Sequence, residues 1–568
     1  MGTVNFNGKT AEAKAVVTVS DSSDDGRYSV AQILNLSNSA GINRVNADFN
    51  ILAEEANAVS GYIALYDGEE RLVSFNTETV NTERDKLINL NVSAEIPQTL
   101  IDNKGKVKIM LWEEETQKPI TENISYDLNE LVEGDYANAA NIQLETGSLF
   151  EESEQIGLDY LLGVDVDRLL APEYEVHGLN TPNNASRYAG WETQTGNKTL
   201  AGHSLGHFMS AAAVMYNENG NTDLLSRLNY IVDKLDELQE TTGSGYIGGC
   251  KIDAFNTAFS GVPNWTEGGY WVPWYGIHKI YQGLIDTYYY TDNPKALEVV
   301  KRFADWAVEG CSKLTYGQMQ AMISVEYGGM NEVFAELYEI TGEEKYLETA
   351  RGFTQDSLLT PLSQGRDNLS GKHSNTQIPK VIGAAKLYEL DNEKYADYRT
   401  AAENFWSYVV NDRSYAIGGN SIAEHFEELG AETLGIKTCE SCNTYNMLRL
   451  TEKLFAWNLD SKYMDYYETA LYNHILGQQD PDTGSKEYFI SLLQGHHRIY
   501  EEKYNSWWCC TGTGMENPAR YTRNIYYENG NDLYVNLYMP NTYLWKEKGL
   551  TFKTVSYTHL TLPTNSRV

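Results

Sequence analysis

Leu337-Tyr338-Glu-Ile-Thr-Gly-Glu-Glu-Lys-Tyr346 reads as the aromatic end of an apolar helix, a polar turn and the start of a second helix. The same mark recurs in Leu387-Tyr388-Glu-Leu-Asp-Asn-Glu-Lys-Tyr395, in Leu454-Phe455-Ala-Trp-Asn-Leu-Asp-Ser-Lys-Tyr463 and in Thr287-Tyr288-Tyr-Tyr-Thr-Asp-Asn-Pro, with a looser copy in Met215-Tyr216-Asn-Glu-Asn-Gly. Positions 288, 338, 388 and 455 step by 50, 50 and 67 residues, which suits hairpins of two helices of about 15 residues each. The stretch from 150 to 520 then holds six such hairpins, the first around 158–170. Six hairpins close into a toroid or stack as an open superhelix, and spacing alone does not choose. The loops before each first helix differ strongly and carry unusual residues, which favours a closed (α/α)6 barrel bearing a site.

Both flanks read differently. Residues 1–138 alternate apolar and polar positions in runs such as Lys14-Ala-Val-Val-Thr-Val-Ser20 and Lys106-Val-Lys-Ile-Met-Leu-Trp112, separated by turn residues. This is the period of a β-sandwich, and without a convergent His, Cys or carboxylate cluster it is expected to be an accessory module. From Tyr526 a hairpin with an Asn-Gly turn opens another β-module, and residues 526–568 do not complete it. The last 13 residues read as a truncation or an assembly junction rather than native sequence. The expected fold class is therefore mainly α: a catalytic (α/α)6 barrel over 139–525 flanked by β-sandwich modules.

Composition removes several function classes. The 568 residues carry 44 Lys+Arg against 79 Asp+Glu, a net charge of −35, so nucleic acid is not the expected partner. No apolar run is long enough to span a membrane. The start, MGTVNFNGKTAEAK, lacks a basic stretch followed by an apolar one, which leaves a cytoplasmic protein or a missing leader. Six cysteines are too few for a disulfide framework, and four of them fall in two tight clusters, which read first as a metal or catalytic site.

Counting back from each helix mark gives the chemistry. His203 and His207, His278, Asn331 and Glu332, His373 and Gln377, and Glu440 and Cys442 all fall at the N-terminal end of equivalent helices. Equivalent helices of a toroid run parallel, so these groups converge at one end of the ring. Thr438-Cys-Glu440-Ser-Cys442-Asn443 and Trp507-Trp508-Cys509-Cys510 together hold three thiols and a carboxylate that can fill the tetrahedral shell of zinc; buried free cysteines are the plainer reading. A zinc-held thiolate at an open position would be a nucleophile. Glu424, in Gly418-Gly-Asn-Ser-Ile-Ala-Glu424-His425-Phe426, is a candidate general acid/base, weighed against a solvated loop carboxylate. The His203/His207 spacing also fits a helical metal pair, although contacts to substrate or core packing fit better. Trp274-Tyr275 and Trp507-Trp508 are candidate sugar platforms.

These residues are recognisable as a set. Leu161-Leu-Gly-Val-Asp-Val-Asp-Arg-Leu-Leu-Ala-Pro172, Gly190-Trp-Glu192, Leu200-Ala-Gly-His-Ser-Leu-Gly-His207, Trp274-Tyr-Gly-Ile-His278, Glu326-Tyr-Gly-Gly-Met-Asn-Glu332, His373-Ser-Asn-Thr-Gln-Ile-Pro379, Gly419-Asn-Ser-Ile-Ala-Glu-His-Phe426, Glu440-Ser-Cys-Asn-Thr-Tyr-Asn446 and Cys509-Cys510 resemble, in order, the β-L-arabinofuranosidases of glycoside hydrolase families 127 and 146, closer to the second. The resemblance covers about 145–520. It implies a retaining mechanism in which Glu440, Cys442, Cys509 and Cys510 bind Zn²⁺, Cys509 attacks the anomeric carbon and Glu424 is the acid/base. His278 and His373 would contact sugar hydroxyls, with His203, His207 and Glu332 completing the substrate site. The implied partner is an arabinose-containing plant glycan or glycoprotein, which favours a secreted or cell-surface bacterial protein. Two other readings stand beside it: an (α/α)-toroid lyase or unsaturated-uronyl hydrolase, and a noncatalytic carbohydrate-binding surface protein.

Overall fold

The computed structural model describes residues 12–20, 27–39, 42–97, 100, 105–116, 118–121, 124–127, 135–137, 139–261, 270–529 and 532–555. They form two compact units: residues 1–137 with 454–465 and 524–538, and residues 138–453 with 466–523 and 539–568.

Apart from residues 454–465, which are helix ends and the turn between them, the first unit is β. Its larger sheet is antiparallel, in the order β10 (Asp135–Tyr136), β12 (Tyr526–Asn529), β13 (Asp532–Val535), β1 (Glu12–Ser20), β2 (Tyr28–Ser39), β3 (Ile42–Ala53) and β6 (Leu87–Ile96). The second sheet runs β5 (Leu72–Asn81), β4 (Ala58–Tyr66), β7 (Lys106–Glu113) and β8 (Lys118–Pro119), with β9 (Ile124–Asp127) also on β7. Period-two patterning places Val45, Ala47, Phe49 and Ile51 of β3 and Val107, Ile109 and Leu111 of β7 in the core. The sheets approach so closely at Gly61 that a Cβ there would lie 2.8 Å from the Phe49 ring. The Asn-Gly hairpin after 525 pairs with this sheet, Val17 lying opposite Leu533.

The second unit is helical, and its helices come in pairs: α1 (Leu149–Leu162) and α2 (Val166–Val176), α3 (His203–Asn219) and α4 (Thr222–Thr242), α5 (Pro273–Thr291) and α6 (Pro294–Cys311), α7 (Met330–Thr341) and α8 (Glu344–Gly352), α9 (Ser374–Leu390) and α10 (Ala396–Arg413), then α11 (Ser441–Asn458) and α12 (Ser461–Ala470), and last a short α13 (Cys509–Glu516). The recurring polar turn explains the pairing. Gly220 ends α3 in the left-handed conformation, and the Asn221 side chain at once accepts from the N–H groups of Asp223 and Leu224 to start α4. Burial separates two classes of helix. Along α4 and α6 buried residues recur three and four apart, as in Leu224, Leu228, Ile231, Leu235 and Leu238, the stripe of a helix with one covered face. Along α3 every residue from His203 to Met215 is buried, and along α9 every residue from Ser374 to Ala385. Such helices are surrounded on all sides, as the inner wall of a barrel is.

Neighbouring inner helices follow one another as α3, α5, α7 and α9. Asn443 of α11 bonds Ser374 of α9, Cys442 of α11 lies against Cys510 of α13, and Glu516 of α13 bonds His207 of α3. The inner ring therefore closes with α13 in sixth place, and the fold is the mainly α barrel expected from the repeats. A small sheet of β11 (Ile142–Leu144), β14 (Asn541–Trp545) and β15 (Leu550–Thr554) belongs to the same unit. The terminal 13 residues, 556–568, lie outside the described residues. Among the described residues no helix is long and apolar enough to cross a membrane.

Candidate active site

Two inner helices begin side by side and bring the clustered donors together. Glu440 immediately precedes α11, held there by a bridge to Phe489, and Cys442 is the second residue of that helix. Cys509 and Cys510 open α13, whose first turn is fixed by the Trp508 N–H donating to Thr511 Oγ1 at 3.1 Å. Ligand atoms of Glu440, Cys442, Cys509 and Cys510 all lie within 4.8 Å of one another, and all four residues are buried. Cys442 Sγ is 3.2 Å from Cys510 Sγ, and Cys509 Sγ is 3.8 Å from Glu440 Oε1. Burial pushes the Glu440 carboxyl and the Cys442 and Cys509 thiols well up. At Cys510 burial acts the same way, but hydrogen bonds from Cys442 and Cys509 outweigh it and hold the thiol down.

This donor set passes the test for a metal. Three sulfurs and a carboxylate match what zinc takes tetrahedrally, and Glu440 Oε2 has no hydrogen-bond partner among the described residues although it is buried. Cys439, next in sequence, takes no part: it is wholly buried, with its sulfur beside Gly419 and His474.

Glu424 sits across from the thiols. Its Oε1 accepts a 2.5 Å hydrogen bond from the Tyr488 hydroxyl, and its Oε2 lies 3.6 Å from His373 Nε2, with the Glu424 and His373 side chains each about a third exposed. The Cys509 thiol reaches the same Tyr488 oxygen at 3.4 Å. Bonds from His373 and then Tyr488 hold the Glu424 carboxyl below the usual range against the opposing effect of burial. The loop carrying it is bent sharply, with left-handed backbone at Ser421 (φ 80°), Ala423 (φ 43°) and Glu424 (φ 69°).

The histidines occupy the helix starts, in different settings. His203 Nδ1 lies 3.0 Å from Glu192 Oε1, and Glu192 also takes the N–H groups of Gly202 and Ser204, so the carboxylate caps the start of α3. His207 Nδ1 lies 2.6 Å from Glu516 Oε1. The two rings stand perpendicular, 6.0 Å apart, each Nδ1 on a different carboxylate, so they do not face a shared ion. His278 is buried against Gly328 and Gly329, and neither ring nitrogen has a partner among the described residues. Glu332 Oε1 accepts from Arg449 at 2.9 Å while its buried Oε2 is unpaired among them. Neither Trp274 nor Trp507 is a sugar platform: they are 1% and 0% exposed, Trp274 packed edge-on against Phe255 and Phe353 and Trp507 against Tyr188. Trp508, 36% exposed, and the half-buried Trp191 beside it are the available rings.

Several site residues carried no signal of their own in the sequence. Tyr488 connects the thiol and the carboxyl but is one of 41 tyrosines. Trp191 packs on the cysteine cluster together with Tyr488. Glu326, pushed up to about 7 by burial, lies within electrostatic reach of His373 and Cys509. Trp191 and Glu326 fall inside motifs that were legible, Gly190-Trp-Glu192 and Glu326-Tyr-Gly-Gly, and the motifs were the available clue.

A family model for the β-L-arabinofuranosidase GH127 catalytic domain matches residues 141–523. Among solved structures, a GH127 β-arabinofuranosidase is 17% identical, with a TM-score of 0.56 over 73% of this chain and 66% of that one. A GH127 β-L-arabinofuranosidase from Geobacillus stearothermophilus T6 is 14% identical, with a TM-score of 0.54 over 71% and 68%. At such identities the likeness speaks for the fold, and this chain spans about two thirds of each of those structures. No curated protein matches in sequence. The helix pairs, the ring closed by α13 and the family match over two thirds of the sequence agree: the chain belongs to the GH127 β-L-arabinofuranosidase family of glycoside hydrolases.

Proposed function

We propose that this protein is a retaining exo-glycosidase that releases L-arabinose from β-L-arabinofuranosides, with Cys509 as nucleophile and Glu424 as acid/base. One observation carries the reading: Glu424 Oε1 and Cys509 Sγ both touch the Tyr488 hydroxyl, at 2.5 and 3.4 Å. Laid end to end, those contacts cap the separation of the two groups below the roughly 6.5–9.5 Å that inverting pairs keep for a water, and near the roughly 5–5.5 Å of retaining pairs.

Glu440, Cys442, Cys509 and Cys510 would hold Zn²⁺, whose charge keeps thiols ionised at neutral pH. Cys509 sulfur attacks the anomeric carbon, and the carbon–sulfur bond forms as the glycosidic carbon–oxygen bond breaks. Glu424 gives its proton to the departing oxygen, then takes one from the water whose oxygen displaces the sulfur, which leaves as the thiolate. His373 and Tyr488 favour the ionised carboxyl that the second step needs. A sugar bound against Glu424 would exclude water from that side chain and work in the opposite direction, towards the acid that the first step needs. The nitrogens of His278 and the Glu332 Oε2, unpaired among the described residues, are suited to sugar hydroxyls, with His203, His207 and His373 the further candidates for substrate contacts. The substrate class is an arabinose-containing plant glycan or glycoprotein, which puts the work outside the cell or at its surface.

The test is turnover of p-nitrophenyl β-L-arabinofuranoside by zinc-replete protein and by Cys509→Ala. We expect activity to fall by about three orders of magnitude or more in the variant. A lyase would keep its activity on an acidic polysaccharide in the same variant, and a noncatalytic binding protein would show no turnover in either.

A further inference from the structure

Beneath Glu424 lies a fully buried knot of amides and a hydroxyl that no catalytic step uses. The Glu424 main-chain oxygen accepts twice from Ser374, the first residue of α9: from its N–H at 2.7 Å and from its Oγ–H at 2.9 Å. The same Ser374 oxygen accepts from Asn443 Nδ2 at 2.6 Å. Asn443 exchanges a reciprocal pair of hydrogen bonds with Asn420, at 2.9 and 3.0 Å. Ser374, Asn420 and Asn443 are each 0% exposed. These bonds are mutually consistent: the hydroxyl donates once and accepts once, and the Asn443 amide spends both its hydrogens and its oxygen.

The knot has something to hold. Ser421, Ala423 and Glu424 all adopt left-handed backbone, a conformation that side-chain-bearing residues rarely take and that persists only where surroundings over-determine it. Asn420 precedes this bend and the Glu424 carbonyl ends it, so the knot grips both ends. Asn443 itself follows Cys442 on α11. We propose that Asn443 is a positioning residue for glycosidic cleavage: through Ser374 and Asn420 it fixes the main chain of Glu424, so that the helix start bearing the thiol cluster also sets where the acid/base carboxyl points. The proposal rests on Glu424 being the acid.

The discriminating readout is leaving-group dependence. A p-nitrophenolate leaves with little help from an acid, whereas an alkoxide needs the proton, so a misaimed Glu424 penalises only the second. We would measure kcat/KM on p-nitrophenyl and methyl β-L-arabinofuranosides for the wild type, Asn443→Ala, Ser374→Ala and Glu424→Gln, with bound zinc determined in each. We expect the ratio of the two kcat/KM values to rise about tenfold or more in Asn443→Ala, by less in Ser374→Ala, which keeps the backbone bond, and by most in Glu424→Gln. Equal losses on both substrates in Asn443→Ala and Ser374→Ala, with Glu424→Gln still raising the ratio, would overturn the positioning role and leave the acid assignment standing. An unchanged ratio in Glu424→Gln would overturn the acid assignment itself. If Asn443→Ala does not fold with zinc, Ser374→Ala decides alone, because it deletes one buried oxygen and leaves the rest of the knot in place.

Discussion

Tyr488 is the residue on which the two halves of the site depend, since its one oxygen serves both the Glu424 carboxylate and the Cys509 thiol. Tyr488→Phe is expected to keep its zinc and lower kcat by about tenfold, read by turnover beside metal analysis; loss of zinc as well would make the hydroxyl part of the metal's support. His474 offers a titration that no catalytic step uses. It is wholly buried, with Nδ1 2.9 Å from Thr444 Oγ1, and burial, followed by the Arg498 charge, lowers it to about 3 from the ordinary 6.5. The unfolded chain takes up a proton between those values and the folded one does not. Its contribution is complete above about pH 6.5 and is lost as pH falls towards 3, by about 1.4 kcal/mol per unit. Denaturant unfolding of wild type and His474→Gln at pH 7 and pH 5 should show the variant losing less between the two. At this scale the thiols were legible because adjacent and near-adjacent cysteines are rare and carry one chemistry. Trp507 was misread as a platform because exposure is not written in a residue's name.

At the scale of the element, the inner helices depend on glycines where they touch. A Cβ on Gly206 of α3 would lie 1.9 Å from the Lys279 carbonyl oxygen of α5, main chain against helix. Since neither backbone can yield, Gly206→Ala should cost more than about 3 kcal/mol, or abolish folding, as read from urea unfolding. The repeating marks found these helices well: Tyr216, Tyr288, Tyr338, Tyr388 and Phe455 all fall in the last turns of α3, α5, α7, α9 and α11. What escaped was α13. Its eight residues, Cys-Cys-Thr-Gly-Thr-Gly-Met-Glu, include two glycines and two threonines and have no periodic face, because every side of the helix is covered. Propensity argues against a helix there, and packing overrides it.

For the whole molecule, the donor cluster fastens the starts of α11 and α13, the last two members of the inner ring. Removing zinc with a chelator leaves three thiols and a carboxyl buried together without their common partner. We expect the melting temperature to drop by more than about 5 °C and to recover on adding zinc back, followed by calorimetry. An unchanged melting curve after verified metal loss would mean the ring stands without it. The two-unit division was only partly visible in the sequence, because a β-unit that borrows residues 454–465 and 524–538 from far along the chain leaves no local boundary to read.

Closure by α13 also sets an order of events during synthesis. His207 and Glu516, partners across the seam, are 309 positions apart, and Cys509 and Cys510 emerge after all five other inner helices. A ribosome making this chain must release nearly the entire barrel before Cys509 and Cys510 meet Glu440 and Cys442. Contacts of such range form late and slowly, so until then the open arc presents unpaired inner faces to solvent. The four-donor cluster is thus assembled only by completion of the ring.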